Sequence, residues 1–330
     1  MPAQNALGRA LRAWLLAASS LLACLPASAD ELTSLSDEFV SASSLDAWLV
    51  ETVVDGWPEQ AALLQIDEAA GALTLEPETS GWFQDYRGVL RYKLVSGDFR
   101  VETRLRATGL AAAVPSRAFS LAGIMARVPR HESEPADWQP GQENWLFITA
   151  GTADAPGAPQ FETKNTVDST SALITHPGQQ GWLELRIQRR GPRFDLSRRL
   201  PGEDWNTLRT LVRDDFPETI QVGLLAYTDW PTVSTFADAE SFNEALVPSP
   251  PGQRDLRAEF DYVRFSDPRC WEADLDSDGV VALGDLARLL GGFGTASGAE
   301  PSEGDVDGDG DVDLGDLALL LAQFGESCGG

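Results

Sequence analysis

The chain has 330 residues, 43% of them apolar, enough for one large domain and a small one around a buried core. Its formal net charge of −26 argues against nucleic acid as a partner and suits an exported, solvated protein or a cation binder. With only two histidines, a transition-metal centre built from several imidazoles is excluded.

Residues 1–29 read as an export signal. Arg9 and Arg12 stand near the start without an acid, the apolar stretch WLLAASSLLACL is too short to span a bilayer comfortably, and Ala27, Ser28 and Ala29 offer small residues for cleavage before Asp30. Lipoprotein processing at Cys24, within LLAC, is the alternative, and an uncleaved anchor helix is another. Both processing routes put the protein outside the cytoplasm, secreted or at the cell surface, with no transmembrane segment left.

Residues 30–267 read as β-structure. GDFRVETRLRA alternates Phe99, Val101, Thr103 and Leu105 with Arg100, Glu102, Arg104 and Arg106, the pattern of a half-buried antiparallel strand. WLELRIQRRGPRFDLS alternates in the same way and turns near Gly191 and Pro192. FSLAGIMARV and NWLFITAG are continuous apolar runs suited to central strands, and TIQVGLLAYT and AEFDYVRF read as closing strands. The polar stretch FETKNTVDSTS reads as a strand, either lining a cleft or exposed. Many short strands with Gly and Pro turns predict a mainly β, two-sheet sandwich. In this order, from LSDEF to EFDYVRF, the segments resemble a concanavalin A-like jelly roll. Similar modules occur in secreted bacterial proteins and at the C-termini of some β-xylosidases. That resemblance spans lectin-like binders, glycosidases and modules of unknown role, so it implies a fold and not one function.

No catalytic residue is assigned. Retaining glycosidases on this fold place Glu-x-Asp-x-x-Glu on one strand. EFDYVR offers Glu259 and Asp261 but ends in Arg264, and EADLDS offers Glu272 and Asp274 but ends in Ser277. Tryptophans are the stronger signal, because a sugar stacks its apolar face on an aromatic ring. Trp82, Trp138 and Trp230 sit beside turn signals and are the candidate saccharide platforms. By resemblance to related folds, Asp37 or Glu38 near the first strand and Asp261 on the last are candidates for a further structural calcium.

Residues 268–330 contain a repeat. DLDSDGVVALGDLARLLGGFG from Asp274 and DVDGDGDVDLGDLALLLAQFG from Asp305 align without a gap at an offset of 31 residues. Each fits a twelve-residue calcium loop, in which carboxylates at alternate positions converge on a hard dication. Asp274, Asp276, Asp278, the Val280 carbonyl and Asp285 make the first set. Asp305, Asp307, Asp309, the Asp311 carbonyl, Asp313 and Asp316 make the second, which has one more acid and is expected to bind more tightly. Gly279 and Gly310 stand at the sharp turn, and Val281 and Val312 where paired loops bridge to each other. Leu286, Leu289, Leu290 and Phe293, then Leu317, Leu320, Leu321 and Phe324, mark one apolar helix stripe per repeat, ended by Gly294 and Gly325. Cys270 and Cys328 flank the repeat and are expected to form a disulfide in an oxidising compartment, two free thiols being the alternative. Such a loop of about 60 residues is worth about 4 kcal/mol in the chain-entropy account.

SDPRCWEA and GAEPSEG, before the loops, cannot form full entering helices. A duplicated loop-helix unit without an entering helix resembles a type I dockerin. The resemblance implies two calcium ions and docking onto a cohesin of an extracellular scaffold, often in polysaccharide breakdown. Loop positions 10 and 11, often Ser-Thr in that family, are Leu283-Gly284 and Leu314-Gly315 here, so Leu283 and Leu314 are candidate docking residues for a more apolar contact. The chain is thus read as a secreted bacterial protein with a carbohydrate-recognition sandwich and a calcium-dependent anchoring module. A glycosidase or lyase with an unrecognised active site, and a purely structural exoprotein, are the alternatives.

Overall fold

The structure is a computed structural model. It describes residues 32–130, 138–248, 253–266, 268, 273–275, 280–299, 303–307 and 309–326. The leader with Cys24, the Cys270–Cys328 pair, His131, and Asp276, Asp278 and Gly279 of the first calcium loop lie outside the described residues.

Among the described residues fourteen strands follow in chain order: β1 (Leu49–Val50), β2 (Ala61–Asp67), β3 (Ala72–Pro77), β4 (Val89–Ser96), β5 (Phe99–Thr108), β6 (Ser120–Arg127), β7 (Trp145–Thr152), β8 (Gln160–Val167), β9 (Thr170–Pro177), β10 (Leu183–Arg190), β11 (Arg193–Arg199), β12 (Asn206–Val212), β13 (Thr219–Tyr227) and β14 (Arg257–Ser266). They form two seven-stranded sheets, β12-β11-β10-β5-β14-β3-β2 and β1-β4-β13-β6-β7-β8-β9, with every strand-to-strand pairing antiparallel. This is the two-sheet sandwich that the strand pattern predicts and the jelly roll that the resemblance implies. Among the described residues no helix is long and apolar enough to cross a membrane.

The main core lies between the sheets. Phe99, Val101 and Leu105 of β5 and Leu185 and Ile187 of β10 meet Ile124, Leu146, Ile148 and Leu224 from the second sheet. The outer face of that second sheet is also covered. Leu121 and Met125 of β6, Trp145 and Phe147 of β7 and Leu225 and Tyr227 of β13 form a second apolar cluster beneath Trp82. Burial on both faces is why β6 and β7 read as continuous apolar runs rather than as alternation.

The C-terminal part has two helices, Leu283–Gly292 and Leu314–Gln323, with Gly294 and Gly325 in the left-handed region just beyond them. Val281 and Val312 do not bridge to each other as expected. Val281 N–H donates to the Glu326 carbonyl and its carbonyl accepts from Gly325 N–H, while Val312 pairs in the same way with Gly294 and Thr295. Each valine thus holds the chain leaving the other unit's helix, a reciprocal arrangement.

Candidate functional site

A cleft of about 250 Å³ opens on the outer face of the second sheet. Trp82, Tyr227 and Lys164 form its floor, and Phe83, Phe119, Leu173 and Trp230 its rim. The rim comes from four segments: the loop before β4, the entry to β6, edge strand β9, and the short helix Trp230–Val233. Trp230 stands edge-on to Phe83 and Tyr86, with ring centroids 5.2 and 5.4 Å away.

The floor carries one buried polar group of unusual character. Glu162 and Lys164 alternate on β8 and so share a face. Lys164 Nζ lies 2.7 Å from Glu162 Oε1 and donates at 2.7 Å to the Trp82 carbonyl. Tyr227 donates its phenolic proton to Glu162 Oε2 at 3.0 Å. The ammonium sits 5.1 to 5.8 Å from the ring centroids of Phe83, Phe119, Phe147 and Tyr227, a cation–π environment. Burial pulls Lys164 below its ordinary range while Glu162 opposes the shift. Burial, then Glu162, pushes the Tyr227 phenol well up, so it serves as a donor and not as a base.

The rim is held under backbone strain. Phe119 has φ 54°, Gln84 next to Phe83 has φ 53°, and Asp229 next to Trp230 has φ 68°. None is glycine, and such residues persist only where surrounding contacts enforce them. Asp229 is buried and accepts from Thr79 Oγ1 at 3.1 Å and from Arg117 Nε at 3.0 Å, which fixes the start of the Trp230 helix. A Cβ on Gly81 would come within 2.9 Å of the Trp230 ring, so the glycine lets the indole lie against the backbone.

The sequence candidates separate in three dimensions. Trp230 and Trp82 meet in this cleft, Trp230 half-buried at the rim and Trp82 at 1% exposure with Nε1 bonded to the Val89 carbonyl. Trp138 is no platform: it is 4% exposed and packs edge-on against Trp57 at 5.8 Å. Glu162 and Lys164 were missed. The signal available was the alternation in FETKNTVDSTS, which becomes β8, a turn with Asp168 and Ser169 at positive φ, and β9. Its first strand is largely buried and supplies the cleft floor.

The residues named for a further calcium between the terminal strands have protein partners in the structure. Asp37 does pair with Val263 through two backbone bonds of 2.8 Å, so the termini meet. Its carboxylate, however, accepts from Phe39 N–H and Trp48 Nε1. Glu38 pairs with Arg264 and Asp261 with Arg104, both at 2.7 Å. Glu259 likewise accepts from Arg106 at 2.7 Å, so the near-miss EFDYVR carboxylates are spent on arginines.

A second charged cluster lies on the same face as the cleft. Arg87, Arg127 and Glu143 meet Glu51 and Asp55 of the helix Glu51–Asp55, all nearly inaccessible. Burial, opposed by Arg87 and Arg127, pushes the Glu51 carboxyl up to about 8. Burial also acts to raise Glu143, but Arg127, Arg87 and Arg130 outweigh it and hold it below the usual carboxylate range.

In the C-terminal repeat the second loop brings Asp305, Asp307 and Asp309 together, and separately Asp311, Asp313 and Asp316, each group with oxygens within 4.8 Å of one another. These hard oxygen donors fit calcium. Gly310 has φ 88° and its N–H donates to Asp305 Oδ2 at 3.1 Å, the tight turn the loop needs. Asp316 Oδ1 accepts from Val306 and Asp307 N–H groups and its Oδ2 from Asp313 N–H. Asp313 caps the following helix through Gly315 N–H at 2.6 Å, a task that Ala282 of the first repeat cannot perform. In the first loop, Asp274 and Asp285 are buried and Val280 is exposed. The apolar stripes are only partly inward. Leu289 and Leu320 are buried and Leu286 and Leu317 half-buried, whereas Leu290, Leu321, Phe293 and Phe324 are exposed, because two short helices make too small a core to cover them. Leu283 and Leu314 are 73% and 70% exposed at equivalent places.

No protein-family model matches the chain, and no curated protein matches it. Among solved structures, a functionally unknown protein from Saccharomyces cerevisiae is 16% identical, with a TM-score of 0.45 over 68% of this chain and 98% of its own. A xylan β-1,4-xylosidase from Bacillus halodurans is 14% identical, with a TM-score of 0.46 over 74% of this chain and 41% of its own, so the match spans about two fifths of that enzyme. A prokaryotic β-1,3-1,4-glucanase (lichenase) from a mouse hindgut metagenome is 11% identical, with a TM-score of 0.41 over 71% of this chain and 98% of its own. Similarity at this level assigns no function.

Proposed function

We propose that the chain is an extracellular saccharide-recognition protein, in which the sandwich cleft binds a sugar ring and the C-terminal module binds calcium and anchors the protein to an extracellular scaffold, cohesin-like or otherwise. The observation that carries the first half is the aromatic cleft itself, with its strained rim and one buried donor. A sugar needs flat apolar surface for its C–H faces and a few polar groups for its hydroxyls. Trp230 and Phe83 supply the first. Lys164 supplies the second: its ammonium lines the cleft, held by the ion pair with Glu162 and the hydrogen bond to the Trp82 carbonyl.

The same geometry favours binding over hydrolysis. Glycoside hydrolysis calls for two carboxyl groups about 5 to 9.5 Å apart. Among the described residues lining the cleft none is acidic, and Glu162 behind them is committed to Lys164 and Tyr227. Calcium, when bound, would be held by the carboxylates of the second loop and their counterparts in the first; it supplies the charge that lets these acids lie close together.

Calorimetry of the full exported chain in calcium, against common hexoses, pentoses and their oligomers, tests this reading. Saturable binding is expected, weakened at least tenfold in Trp230→Ala, together with no release of reducing sugar. Turnover abolished by a single Glu or Asp substitution in the sandwich would replace this reading with the glycosidase one.

A further inference from the structure

We infer that the cleft takes the terminal ring of a saccharide, entered end-on, rather than an internal stretch of chain; this rests on the saccharide reading of the same site. The first argument is size. A volume of 250 Å³ falls below the roughly 300–1,000 Å³ of pockets that enclose larger ligands, which suits one sugar ring with its hydroxyls.

The second argument is independent and concerns the rest of that face. A polysaccharide lying across a sheet needs a continuous groove. Here the neighbouring surface is filled: Trp145, Phe147, Leu225 and Met125 are fully buried, and Trp82 stands edge-on over Trp145 at 5.9 Å. Further along the sheet, the Arg87, Arg127 and Glu143 cluster is closed over as well. Among the described residues the outer face therefore offers a pit with a rim of four separate segments. A ring linked at both ends would drive a neighbouring ring into the rim formed by Phe83, Phe119, Leu173 and Trp230. A terminal ring needs a single exit, towards solvent.

The test uses the full chain in calcium and three sets of probes: monosaccharides, linear oligosaccharides of two to six rings, and cyclic glucans, which have no end. The terminal-ring inference expects binding of the first two sets, with affinity changing less than threefold beyond two rings, and none of the cyclic set. Affinity rising tenfold or more with length, or equal binding of a cyclic glucan, overturns the inference and leaves the saccharide reading standing. No binding of any saccharide overturns the reading itself. Leu173→Trp fills the rim from a position 37% exposed on edge strand β9, so the fold tolerates it, and is expected to reduce affinity at least tenfold. Full affinity in that variant would move the ring out of the cleft.

Discussion

Lys164 shows how one buried charge is kept. An isolated ammonium in this setting would be costly, and it is offset by Glu162, the Trp82 carbonyl and four ring faces. Lys164→Met leaves Glu162 buried with Tyr227 alone, so a loss of about 3–5 kcal/mol is expected in denaturant unfolding. The double variant Lys164→Met, Glu162→Gln removes both charges and should recover most of that stability while still failing to bind sugar. If the double variant is as unstable as the single one, the pair is not what makes the single costly. Glu51 gives a prediction of the opposite kind. Its folded value near 8 lies above the ordinary 4.5, so the native state keeps a proton that the unfolded chain releases. That contribution is full below about pH 4.5 and is lost as pH rises through 8. Glu143, held low by the arginines, acts the other way: its contribution is present above the ordinary carboxylate range and lost only in strong acid. Melting curves from pH 5 to 9 should therefore fall more steeply for the native chain than for Glu51→Gln, and parallel curves would place the proton elsewhere.

At the scale of elements, each proposed calcium loop is followed by a helix, and the two helices differ in their capping residue, Ala282 in the first and Asp313 in the second. Asp313 satisfies Gly315 N–H while Asp316 bonds back to Asp313 N–H, a reciprocal cap at the start of the second helix. Asp313→Ala is expected to cost about 1 kcal/mol of helix stability without abolishing ion uptake. Asp305→Ala removes an inner carboxylate and the acceptor for Gly310 N–H, and should weaken uptake at the second loop. Titration of the full chain should show midpoints between about 10⁻⁷ and 10⁻³ M, with helical signal rising as calcium is added. A helical signal indifferent to chelation would show that the acids need no ion. The rim has its own element-scale test. Gly81→Ala displaces the Trp230 ring and should weaken sugar binding with little change in melting temperature.

For the molecule as a whole, the exposed leucines and phenylalanines of the repeat form two equivalent apolar ridges, Leu283, Leu290 and Phe293 on one helix and Leu314, Leu321 and Phe324 on the other. A net charge of −26 opposes self-association through such a surface, which supports the proposed scaffold over a second copy. Burying Leu283 and Leu314 alone would contribute roughly 3–6 kcal/mol before ordering costs. Under the proposed reading, Leu283→Asp with Leu314→Asp should abolish docking to the scaffold and leave calcium uptake intact. Retained affinity would place the contact on another face. Loss of calcium uptake along with docking would show that the leucines support the loops.

Alternation marks β5 and β10 and continuous apolar runs mark β6 and β7, with β13 and β14 legible as closing strands, because a strand buried on one face must alternate and one buried on both must read as an apolar run. The repeat was equally legible, since aspartates two residues apart followed by a glycine and a leucine stripe are a local pattern. β4 was not: VLRYKLVS places Arg91 and Lys93 in a largely buried strand, where Arg91 pairs with Glu59 and Lys93 donates to the Leu35 carbonyl. The cleft lay further out of reach. Trp82, Trp138 and Trp230 look alike in sequence, and only packing decided that one is buried against Trp57 and another left half-open at a rim. Glu162 and Tyr227 stand 65 residues apart and meet because β7, β6 and β13 lie side by side beneath them. Local patterns determined which segments are strands and which acids share a loop; long-range sheet order decided which side chains share a site, because that order depends on contacts no local window contains.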